Sequence, residues 1–99
     1  MYKNNLNAYF RISVQSALLG NITENIRAVV GVLSEQKIQI IFYYDGVIDE
    51  VDEELASEVG TEVIADFESG FNIDIKTIRL DYPEPIKIKD GFLLFLRKE

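Results

Sequence analysis

Glu50, Glu54, Glu58, Glu62 and Asp66 recur every four residues, and carboxylates are the main chemistry-bearing groups this chain offers. It has no His and no Cys, which removes the usual general base near neutral pH, thiol nucleophiles, thiol redox chemistry and nitrogen or sulfur metal sites. A carboxylate-pair hydrolase needs two acids facing each other across a cleft with their pKa values pushed apart. A chain of 99 residues holds one modest core and no cleft between lobes. A calcium loop starting at Asp45 fails, because its third, sixth and twelfth positions are Val47, Glu50 and Ala56. The six glycines stand at least ten residues apart, so no phosphate-cradling loop can be built from them. The chain therefore reads as non-catalytic, with no metal site and no cofactor. A weak divalent-metal binder or carboxylate enzyme is the chemical alternative.

Seventeen acidic and ten basic residues give a net charge of -7, and their placement says more than their sum. Between Lys37 and Lys76 there is no base, while eleven acids fall there; the rest of the chain has ten bases and six acids, a net +4. A field this one-sided attracts cationic partners and repels nucleic acid and anionic membrane. No run approaches the roughly 20 apolar residues of a membrane span. The early residues carry Lys3 and Arg11 without a continuous apolar stretch, so no signal peptide is read. The expectation is a single domain over 1–99, cytoplasmic, binding neither nucleic acid nor membrane.

Six elements are expected to position the acids. Leu6, Phe10, Val14, Ala17 and Leu18 fall at helical spacing over residues 6–19, ahead of Gly20-Asn21. The alternation of Phe10, Ile12 and Val14 leaves a short strand as the competing reading. Runs 26–33 and 37–44 are rich in β-branched and aromatic residues and flank Ser34-Glu35-Gln36, the pattern of a hairpin. From Asp49 to Ser69 an acidic amphipathic helix is expected, with Val51, Leu55, Val59, Val63 and Phe67 as its apolar stripe, supported by Ala56 and Ile64. Gly60 inside it implies close approach to a sheet or another helix. Runs 73–82 and 92–96 read as strands, joined through Pro83-Glu84-Pro85, which forbids helix. The order α-β-β-α-β-β, with successive strands antiparallel, predicts an α+β fold of two layers. In it two helices cover one face of a four-stranded antiparallel sheet.

The acidic helix has no Lys or Arg to relieve its like charges. Four such i,i+4 contacts cost about 1–2 kcal/mol in total. Either the row is a solvated face or it is a surface complementary to a basic partner, where charge speeds association and sets specificity. The candidate partner-binding residues are Tyr43, Asp45, Asp49, Glu50, Glu53, Glu54, Glu58 and Glu62. Tyr43 is the candidate exposed anchor, whereas Tyr44 shares a face with Ile38, Ile40 and Phe42 and belongs to the core. Asp66 ends the series beside the apolar stripe and is expected to be half-buried, paired with Arg27 or Arg79. A second reading makes the chain a structural or accessory homodimer joined through Phe92–Leu96 or a neighbouring edge, with the acids serving only solubility.

Three segments carry a resemblance: residues 11–20, Tyr44-Asp45-Gly46 with the acid run after it, and Arg79-Leu80-Asp81-Tyr82-Pro83-Glu84-Pro85. Together they resemble small bacterial α+β proteins that include immunity proteins of polymorphic or contact-dependent toxin systems. The resemblance implies a cytoplasmic antidote that binds the toxin domain of its own strain, often a nuclease with a basic active-site groove.

Overall fold

The computed structural model describes residues 5–99; Lys3 lies outside the described residues. Six elements follow in chain order: α1 (Leu6–Leu18), β1 (Ile26–Ser34), β2 (Lys37–Tyr44), α2 (Glu50–Ala65), β3 (Asn72–Arg79) and β4 (Phe92–Leu96). They build an α+β domain with one four-stranded sheet of order β3-β2-β1-β4. Residues 6–18 are helical, and the competing strand reading falls away. Asn5 caps α1, its side chain accepting the N–H of Ala8 at 3.2 Å. The helix ends where Gly20 takes φ +81°.

The hairpin of β1 and β2 is antiparallel, with a register shift between Ile26 and Ala28 and regular pairing from there to Ser34↔Lys37, so its turn is the pair Glu35-Gln36, with Glu35 at φ 56°. The sheet is mixed, which corrects the expected antiparallel succession. β3 runs parallel to β2 in unbroken register from Lys37↔Asn72 to Tyr44↔Arg79. The physical reason is the 16-residue helix between them. A helix that runs back along the sheet returns the chain to the end at which the previous strand began, and the next strand is then parallel. β4 crosses to the far edge and pairs antiparallel with β1.

The core lies between the helices and the sheet face formed by Ile38, Ile40, Phe42 and Tyr44, with Phe10, Val14, Val59 and Val63 from the helices. Close packing fixes two glycines. A Cβ on Gly31 would stand 2.7 Å from Leu94 and 2.8 Å from Phe10, and one on Gly60 would stand 2.8 Å from Ile75. The sheet contact expected from Gly60 is thus present, against β3. The apolar stripe of α2 holds at Ala56, Val59, Val63 and Phe67, which are buried, and departs from the expectation at its start, where Asp52 is buried while Val51 is 59 % exposed. A strict four-residue repeat drifts about 40° per step around a helix, so the residue at its start has left the core face.

The opposite sheet face is crossed by the segment between β3 and β4. Lys87, Ile88, Lys89 and Asp90 lie against Val30, Val32, Gln39, Ile41 and Tyr43, around a groove of about 300 Å³. Among the described residues no helix is long and apolar enough to cross a membrane.

Candidate functional site

α2 begins at a reciprocal cap. Asp49 accepts the N–H of Asp52 at 2.9 Å, and the Asp52 carboxylate accepts the N–H of Asp49 at 3.2 Å. The same Asp52 carboxylate takes hydrogen bonds from Asn25 Nδ2 at 2.9 Å and Thr23 Oγ1 at 3.2 Å, joining the β1 approach to the helix. Asp52 is 4 % exposed. Burial alone would raise its pKa, yet the bonds from Asn25, the Asp49 backbone and Thr23 hold it below the usual carboxylate range. Beneath it the Tyr44 hydroxyl lies 3.4 Å from the Asp52 carbonyl. Burial first, then the Asp52, Glu53 and Asp49 carboxylates, push the Tyr44 phenol well up. Asp52 is not among the candidate residues named from the sequence. The spacing Asp49-x-x-Asp52 is the signal that marks it as a capping residue.

From this anchored start, α2 turns a row of acids to solvent. Glu50, Glu54, Glu58 and Glu62 are all exposed, and none makes an ion pair or side-chain hydrogen bond among the described residues. Glu53, one step around the helix, is also exposed but accepts the Thr77 hydroxyl of β3 at 2.9 Å. Asp49 is occupied as the cap. Asp45 is occupied too: its Oδ2 pairs with Arg97 at 3.1 Å and its Oδ1 accepts the N–H of Tyr82 at 3.2 Å.

The eight candidate residues therefore divide by position. Glu50, Glu54, Glu58 and Glu62 form one open row, while Asp45, Asp49 and Glu53 hold elements together at its start. Tyr43 stands on the other face of the sheet, in the groove beside Lys87 and Lys89, separated from the acid row by the sheet itself. Tyr44 is fully buried, as its face predicts.

Asp66 departs from its expected pairing. It is exposed at the C-terminal cap of α2, where its Oδ2 accepts the Ser13 hydroxyl at 2.6 Å and its carbonyl accepts the Tyr9 hydroxyl at 2.7 Å. It joins α1, and neither arginine reaches it. Arg27 is buried and makes a two-point pair with Glu99, at 2.8 and 3.0 Å, and it also donates to the Leu80 carbonyl and sits 5.7 Å from the Tyr82 ring. Arg79 forks onto Asp81 at 3.0 and 3.1 Å, and Asp81 in turn accepts the N–H of Gly46 at 2.7 Å. Both guanidiniums are consumed by the network that ties the β2–α2 turn to the ends of β3 and β4.

Sequence reasoning did not bring β3 to the acidic helix, and so missed Thr77. The signal available was the length of the connection from β2 to β3, which demands a parallel neighbour lying under α2. Among the described residues no group of three or more carboxylates is placed to hold a metal ion.

Compared with known families, the sequence matches the MafI2 immunity protein family over residues 7–99. The chain belongs to this family. The match covers both helices and all four strands of the fold, including the whole acidic row. No curated protein matches the chain. As a MafI2 immunity protein the chain carries its exposed carboxylates on a helix whose backbone is locked at its start by Asp49 and Asp52.

Proposed function

We propose that the chain is a cytoplasmic, non-catalytic antidote that neutralises a toxin domain by binding it, and that the outer row of α2 is the contact surface. Membership of an immunity protein family supports the antidote role. The observation that carries the choice of surface is that Glu50, Glu54, Glu58 and Glu62 are exposed and without partners among the described residues, on a helix with no base to relieve them. Helices gain about 0.2–0.5 kcal/mol from each opposite-charge i,i+4 pair and lose as much from each like pair. A row that forgoes this gain at every step suits a surface complementary to a cationic one.

The partner on this reading is basic, such as a nuclease-like domain whose substrate groove is lined by Lys and Arg. Inhibition is by occupation: carboxylates held in a rigid row replace the phosphates the groove would bind, and no covalent step is involved. The experiment is co-expression of the toxin domain of the same strain with the wild-type chain or with a chain carrying Glu50→Lys, Glu54→Lys and Glu58→Lys. Growth with the first and arrest with the second supports the reading. Growth with both removes the acidic row from it, and arrest with both removes the antidote role for that domain.

A further inference from the structure

β3 is an edge strand, and among the described residues no strand pairs with its outer side. Asn72 and Leu80 donate their N–H groups to the carbonyls of Gln36 and Tyr44 at 2.9 and 2.8 Å, which turns the even-numbered residues of this strand toward β2. Ile73, Ile75, Thr77 and Arg79 therefore turn their backbone N–H and C=O groups outward, and no hydrogen bond among the described residues engages them. Such a row is a template for another strand unless it is short, bulged, charged, or blocked by Pro or by a covering segment, and the charges of β3 besides the paired Arg79 are one of each sign, Asp74 and Lys76. β3 has eight residues in unbroken register and no Pro. The other edge, β4, has five residues, and its register with β1 shifts between Val29 and Val30. The regular edge is the one beside α2.

The helix overhangs that edge with carboxylates. Glu53 sits over Thr77 and Gly60 over Ile75, so this line of α2 lies on β3. Asp52, Ala56, Val59 and Val63 turn from the line into the core. Glu50 and Glu54 turn the other way, roughly 60° and 100° around the helix from Glu53, above the space beyond the strand.

We propose that the outer edge of β3 takes up an extended, Lys- or Arg-rich strand of the partner, adding a fifth strand to the sheet beneath the acidic flank of α2. The inference rests on the reading of the acidic row as a partner surface. Main-chain hydrogen bonds from the four outward positions supply the register, and the carboxylates above select basic side chains on the facing side of the incoming strand. Charge also decides against a second copy of this chain as the occupant. Pairing β3 with β3 brings two acidic flanks together, and neither α2 carries a base to separate them.

The test uses an acetylated, amidated peptide, Lys-Val-Lys-Thr-Lys-Val-Lys-Thr, matched to the eight residues of β3. It puts every Lys on one face of an extended strand. It is titrated into the full chain while amide exchange is followed by NMR. The expected result is slowed exchange at Ile73, Ile75, Thr77 and Arg79, absent with the same peptide carrying Glu for Lys. Thr77→Val keeps the N–H and retains binding. Thr77→Pro deletes an outward N–H at an edge position that tolerates proline and weakens binding roughly tenfold. If Thr77→Pro does not fold, the wild-type exchange pattern decides alone. The proposal is overturned if the Lys peptide perturbs α2 and leaves the four amides unprotected, if it does not bind, or if the amides are protected without peptide in a concentration-dependent dimer. The first of these leaves the acidic row standing as a surface, whereas failure of that reading shows separately as growth with the triple Lys chain.

Discussion

The guanidinium of Arg27, 2 % exposed on β1, is held by two bonds to the carboxylate of Glu99, 72 residues away. A buried cation needs a partner, and here the partner is supplied by the residues after β4, so the packing of β4 and the neutralisation of β1 are one event. Through Arg97 the same cluster reaches Asp45, immediately before the acidic helix.

Hydrogen bonding from Arg27 holds the Glu99 carboxyl below its ordinary value of 4.5. A depressed carboxylate contributes stability that is complete above the unfolded value and is lost as pH falls through the lower folded value. Glu99→Gln is expected to lower the melting temperature at pH 7 and to flatten its decline as pH falls below the ordinary carboxylate range. Thermal melts of the two proteins across that range check it, and parallel curves would remove Glu99 from the acid response.

Asp52→Ala leaves Asn25 Nδ2, the Thr23 hydroxyl and the Asp49 N–H without their acceptor. The expected loss is about 1–3 kcal/mol, measured by urea unfolding. Asp52→Asn keeps the volume and one acceptor and should fall between the variant and the wild type.

Gly60→Ala tests how closely α2 rides on β3. Helix propensity favours Ala by about 1 kcal/mol, but the new methyl stands 2.8 Å from Ile75 Cγ1, and overpacking of this kind costs about 1–3 kcal/mol. A net loss of stability is expected. A gain would place the helix further from the strand than the structure does.

The elements were legible in the sequence because their signals are local. Hairpin pairing, the glycine at the end of α1 and the run 92–96 all follow from neighbours in the chain. What was not legible depends on contacts distant in sequence. Asp66 was expected to meet an arginine because both charges were available, yet Ser13 and Tyr9 of α1 stand closer, and both arginines are held by acids near the strand ends. The direction of β3 was misread because strand alternation looks the same in either direction, and only the helix between the strands distinguishes them. The acidic row was legible in full, since i,i+4 spacing places like charges on adjacent turns. Tyr43 was grouped with it by closeness in sequence, and the pleat of β2 sends it to the other face.

The unrelieved row also carries a stability consequence. Glu54→Lys converts its contacts with Glu50 and Glu58 from repulsive to attractive, and a gain of about 0.8–2 kcal/mol is expected at low salt. The gain should shrink as salt is raised. Chemical denaturation at two ionic strengths checks both statements.

The most direct measurement is calorimetric titration of the toxin domain with the wild-type chain and with the chain carrying Lys at positions 50, 54 and 58. With the acidic row as the contact surface, the triple variant still melts cooperatively and loses affinity by roughly 100-fold or more. An affinity equal to the wild type at the same salt concentration would contradict the account.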